Sequence, residues 1–210
     1  LSDKTPLTIE PIFVPAKFMH VEIVMTVSYD TNLTSKSASQ IQSEVSAAII
    51  AYQNTNLNDF NKTLRQSNLA ATLDALDVSI TSTDITAKPI IEYVPNLGVS
   101  TSPSFNFESA LNKPYAFDST TGFTSFTPAI TSTQFTVDGS AVTLKDDGLG
   151  NLMLVTDGTD TATVFKSAVG TINYTTGAVK LTNLTVDSFA GNAIKLTVST
   201  LSKDIKPPKD

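Results

Sequence analysis

The chain has 210 residues, and 14 Lys plus Arg against 20 Asp plus Glu leave a net charge of −6. An acidic surface repels a polyphosphate backbone, so nucleic acid is excluded as a natural partner. Cysteine is absent, which rules out a disulfide framework and thiolate metal sites; no apolar run approaches the roughly 20 residues of a membrane span, so no membrane partner is expected.

The length fits one or two domains. Only 16% of the residues are charged, and Ser, Thr and Asn take their place, favouring β-rich, hydrogen-bonded surfaces over salt-bridged helical ones. The chain starts at Leu1 and ends on the polar IKPPKD, the pattern expected of a piece excised from something larger.

Residues 1–19 read as an extended arm, because Pro6, Pro11 and Pro15 each remove a backbone donor and bias the preceding residue toward extended conformations. Ile12, Phe13 and Val14 lie between those prolines and need an apolar surface to rest on. From His20 the run HVEIVMTVSY alternates, with Val21, Ile23, Met25, Val27 and Tyr29 on one face of a strand. Ser37 with Gln40 fits a capping box, and Ile41, Val45, Ala48, Ile49 and Tyr52 then form one helical stripe. Residues 57–66 read as an irregular or extended connector. Ser67 is the expected N-cap of a second, short helix carrying Leu69, Leu73 and Leu76. Val78, Ile80 and Ile85 resume strand alternation, which runs on to Tyr93. Residues 20–93 are thus a β-α-α-β module.

Residues 94–122 have the Pro, Ser and Asn texture of a linker, although Phe105, Phe107, Tyr115 and Phe117 need burial. Over 123–203 the turn signals Asp138-Gly139, Asp147-Gly148, Asp157-Gly158 and Thr176-Gly177 separate short alternating segments, including TATVF and TINY. An antiparallel β-sandwich or partly open barrel is expected there, making the chain α+β, with 204–210 as a tail that is either solvated or a docking strand.

The catalytic inventory is empty. His20 is the single histidine, so no metal set can be built around it. The Asp146-to-Asn151 stretch lacks the register of a calcium loop and fits a tight turn. Gly148-Leu149-Gly150 lacks the third glycine of a dinucleotide fingerprint, and neither a nucleophile elbow nor a P-loop is present. Asp157 and Asp160 read as solvated loop charges. No cofactor, no metal and no enzyme activity are expected.

The succession HVEIVMTVSYD, SASQIQSEVSAAIIAYQ, NDFNKTLRQ, SNLAATLDAL and DVSITST over residues 20–93 resembles the baseplate J-like family of phage tails. It is similar in particular to the C-terminal portion of the larger baseplate wedge proteins of T4-type contractile-tailed phages. VGTINYTTGAVKLTNLTV at 169–186 is a further, less specific likeness. The resemblance implies a structural subunit that associates with itself, as a dimer or in ring contacts, and with other wedge subunits. That ring would surround the tail hub in the virion, after assembly in the host cytoplasm, and rearrange on sheath contraction. Candidate interface residues are Ile12, Phe13, Val14, Phe60 and Leu64, together with the sheet edge. The competing reading, an extracellular adhesin or carbohydrate-binding β domain, rests on the Ser, Thr and Asn content and the hairpin series; the absence of Trp weighs against it.

Overall fold

The computed structural model describes residues 19–59, 62–118, 126–156 and 163–206. Its first half holds β1 (His20–Tyr29), α1 (Ala38–Asn56), β2 (Leu64–Arg65), α2 (Gln66–Asp74) and β3 (Ile80–Tyr93). There follow β4 (Ser104–Asn106), β5 (Ile130–Ser132), β6 (Phe135–Val137), β7 (Ser140–Asp146), β8 (Asn151–Thr156) and β9 (Val164–Asn173), then β10 (Ala178–Leu181), β11 (Ser188–Phe189), β12 (Ile194–Val198) and β13 (Asp204–Ile205). Eleven strands form one open antiparallel sheet along the path β1-β3-β12-β5-β7-β8-β9-β10-β4, with β6 joining β7 to β11. The fold is therefore α+β with a β-rich second part.

β1 keeps the alternation its sequence dictates. Val21, Ile23, Met25 and Val27 lie opposite Pro89, Ala87, Ile85 and Thr83 of β3, and this face packs under the helices. His20, Glu22, Val24, Thr26 and Ser28 take the open face, where Glu22 lies opposite Lys88. The capping box starts α1: Gln40 donates its backbone N–H to Ser37 Oγ, and Ser37 donates its own to Gln40 Oε1 at 2.8 Å. Ile41 and Val45 are buried, and Ala48, Ile49 and Tyr52 complete the stripe against the same core.

α2 departs from expectation at its start. The helix begins at Gln66 after Arg65, and Ser67, expected as the cap, lies inside it; no side chain caps this end. The cause is non-local: β2 pairs with β13, Leu64 opposite Ile205 and Arg65 opposite Asp204, and that ladder fixes where the helix begins. Two tail residues thus form a docking strand, with Ile205 buried in the module's core. Leu69 and Leu73 of α2 are buried, Leu73 completely. Leu73→Ala should lower the unfolding free energy by about 2 to 5 kcal/mol in a urea titration, through lost burial and the cavity left behind.

β3 joins the two halves. β1 pairs with it as far as Ile90, and β12 pairs with Ile90 through Tyr93. Ile85 and Ala87 belong to the helical core, whereas Ile91 and Tyr93 pack on a second core containing Phe107, Ile130, Leu144, Leu154, Leu181 and Leu196. The stretch 94–118 contributes β4 and the buried Phe107 and Leu111 to that second core. Asp138-Gly139 is a two-residue hairpin loop with φ of 49° and 74°, the left-handed pair such a turn requires. Asp157-Gly158 lies outside the described residues. TATVF and TINY, read as two segments, differ from what forms: β9 is one strand from Val164 to Asn173. Its register against β8 slips between Lys166 and Gly170, and Ala168 there has φ 55°, so the break in alternation marks a bulge rather than a strand end.

Candidate interface surfaces and the hairpin that braces the sheet

The phrase GTINYTTG is a bracing device. Gly170 faces Leu152 on one side and Leu181 on the other, and a Cβ there would lie 2.2 Å from the Lys180 carbonyl oxygen. Ile172 is buried in the core. The Tyr174 hydroxyl donates to Asp146 Oδ2 at 2.7 Å, and its backbone carbonyl accepts from Leu111 N–H. Gly177, at φ 77°, closes the turn and accepts from Phe107 N–H. One hairpin thus holds the 104–112 segment and the β7–β8 turn together.

Asp146 is fully buried. Its Oδ1 accepts from the backbone N–H groups of Ala129 (2.7 Å) and Ile130 (3.1 Å), and its Oδ2 from Tyr174 and Gly148. Burial and this carboxylate together hold the Tyr174 phenol well above its ordinary pKa. Asp147 accepts from Leu149 and Asn151. Burial pushes its pKa up, but these bonds outweigh burial and leave it below the ordinary carboxylate value. All four carboxylate oxygens already serve protein donors, as the turn reading of Asp146 to Asn151 requires.

At one end of the module, Lys36 Nζ lies 2.7 Å from Asp77 Oδ2 and 2.8 Å from Glu44 Oε2, tying the loop before α1 to the loop after α2. Asp77 also accepts from Ser79 N–H at 2.9 Å. The Lys36 ammonium and the Ser79 bonds hold the Asp77 carboxyl well below its ordinary range, and Asp77 and Glu44 raise Lys36. The sign follows by linkage: the depressed Asp77 contributes stability above its unfolded pKa of about 4 and loses it as pH falls through the folded value. Acidification below about pH 4 should therefore lower Tm, and Asp77→Asn should flatten that part of the pH profile.

Two uncovered features flank β1. The first is its outer edge: among the described residues no strand pairs there. The second is a groove of about 470 Å3 between β1 and the helices, walled by Met19, Ile23, Ile49, Tyr52, Leu57 and Leu69. Leu64 also lines the base of this groove, is 4% exposed and packs in the module's core, so its surface is taken by its own chain. Ile12, Phe13, Val14 and Phe60 lie outside the described residues. His20 sits at the start of β1 with Nδ1 3.4 Å from Glu92 Oε1, an exposed pairing on the open face. A further apolar surface, which the linker texture concealed, is the loop after β3, where Val94, Leu97 and Val99 are exposed. Three aliphatic residues within six positions were its only signal. Among the described residues no cluster of His, Asp and Glu could hold a metal ion, and no helix is long and apolar enough to cross a membrane.

The family comparison finds a match over most of the first half of the chain. Residues 17–89 match the family described as Baseplate structural protein gp6, C-terminal domain III. The matched segment holds β1, α1, β2, α2 and most of β3, and ends at Pro89, one residue before β12 begins to pair with β3. This match supports a T4-type baseplate wedge relationship for the module; it is to the gp6 family and not to a baseplate J-like one. No curated protein matches the chain.

Proposed function

We propose that the chain is a structural subunit of a contractile-tailed phage baseplate wedge, acting through self-association and through contacts with other wedge proteins in the ring around the tail hub. The observation that carries this reading is the gp6 domain III match over β1, both helices and most of β3. The architecture suits the role. The module and the β-rich part share β3, a 14-residue strand that enters both cores, so a load applied to one part passes to the other along covalent backbone and two ladders. The exposed Val94, Leu97 and Val99 loop lies at that junction and offers apolar area to a neighbour. On this reading the protein resides in the virion tail baseplate after assembly in the host cytoplasm, and has no catalytic step. Multi-angle light scattering should show a dimer or larger species, and a strict monomer at high micromolar concentration would contradict self-association.

A further inference from the structure

The ten residues of β1 contain neither proline nor lysine, two devices that commonly guard an exposed edge strand. The direction of its free hydrogen-bonding groups can be read from its partner. Val21 lies opposite Pro89, which has no N–H to give, and Asp30 donates its N–H to the Ser79 carbonyl on the β3 side. Even-numbered residues of β1 therefore point their backbone groups at β3, and Val21, Ile23, Met25 and Val27 point theirs outward. The helical core is open on this side as well. Ile85, Ala87 and Pro89 of β3 are buried, whereas Met25, Ile23 and Val21 opposite them are only half-buried. Two further apolar side chains stand exposed at the same edge. Val24 lies on the open face of β1, 57% exposed, and Ile50, 59% exposed, lies on the α1 stripe that continues through Gln53 to Leu57, both of which line the groove.

We propose that the occupant of this edge is a second copy of the chain, its β1 paired antiparallel with this one across a two-fold axis. The inference rests on the self-association proposed above and assigns it a surface. A strand that meets itself antiparallel must set residues with outward backbone groups opposite one another, so the axis passes through a residue. Val24 decides which one. It is the only apolar side chain on the open face of β1, flanked there by His20, Glu22, Thr26 and Ser28. Only an axis through Val24 gives it an apolar partner, Val24 of the second copy, in a non-hydrogen-bonded pair, the kind whose side chains approach closest. The same register sets Glu22, the one fixed charge of the strand, opposite Thr26 of the second copy and away from that copy's own Glu22, while Lys88 stays opposite it on β3. On the helical face Val21 meets Val27 and Ile23 meets Met25, so each core closes the half-buried flank of the other. Both helical layers then lie on one side of the joined sheet, with Ile50 of each copy turned toward the seam.

The chain lacks cysteine, so an engineered thiol reports cleanly. Val24→Cys places two thiols across the axis with Cα atoms about 4.5 Å apart, inside the roughly 4.4–6.8 Å window of a disulfide, and mild oxidation should convert most of the protein to a covalent dimer. Thr26→Cys lies on the same face, but its two copies stand four positions out of register, roughly 13 Å along the strands, and should stay unlinked. A mixture of Glu22→Cys and Thr26→Cys chains should link as mixed dimers. Val24→Lys, a change at an exposed position, should keep the circular dichroism spectrum and halve the mass seen by light scattering. If the unmodified chain self-associates yet Val24→Cys links no better than Thr26→Cys, or Val24→Lys leaves the mass unchanged, this surface is overturned and self-association stands. A strictly monomeric unmodified chain overturns both.

Discussion

Asp146→Ala is expected to unfold the β-rich part at ordinary temperature, lowering stability by about 5 kcal/mol or more. Replacing the carboxylate leaves the Ala129 and Ile130 amides, the Gly148 amide and the Tyr174 hydroxyl without their acceptor. Each buried donor left unsatisfied costs about 1 to 3 kcal/mol. Asp146→Asn should do less damage, about 1 to 3 kcal/mol, because the amide oxygen can still accept from Ala129 and Ile130 while its NH2 turns to the Tyr174 hydroxyl. Denaturant titrations of the two variants should therefore separate widely. A loss under 1 kcal/mol for Asp146→Ala would show that this network is not what joins the 129–130 segment to the hairpin.

Gly170→Ala is the second large effect. Unlike the other glycines described in turns, Gly170 has an ordinary strand φ, and its absence of a side chain serves close packing. The obstruction is main chain: the added methyl would meet Lys180 O at 2.2 Å and Leu181 Cα at 3.0 Å. β10 cannot yield easily, since Val179 and Leu181 are buried and β4 pairs with its far side. The loss should exceed the roughly 1 to 3 kcal/mol of ordinary overpacking. Gly191→Ala is the control. It has open space and φ 77°, so only the left-handed penalty of about 1 to 2 kcal/mol applies. Equal Tm shifts for the two would contradict the close-packing account.

The elements legible in the sequence were those specified locally. The alternation of β1, the Ser37–Gln40 box and the Ile41 to Tyr52 stripe are each set by residues within a few positions of one another, and they form as read. The start of α2 was not legible at Ser67, because β13, far away in sequence, pins Leu64 and Arg65 and shifts the helix entry to Gln66. β9 read as two segments because a bulge at Ala168 breaks the alternation without breaking the strand. Gly170 carried no turn signal, and its role depends on Lys180, which only the hairpin brings near. Of the candidate interface residues, Leu64 was read as part of an irregular or extended connector, but the β2–β13 ladder turns it into the core. The exposed loop at Val94, Leu97 and Val99 lacked any periodicity by which an interface could be recognised.

The central claim, a structural place in the tail baseplate, is tested most directly on the assembled particle. Baseplates purified from virions and digested for mass spectrometry should contain peptides of this chain at a fixed ratio to the other wedge proteins. Intact, contractile tails whose baseplates contain no such peptides would contradict it.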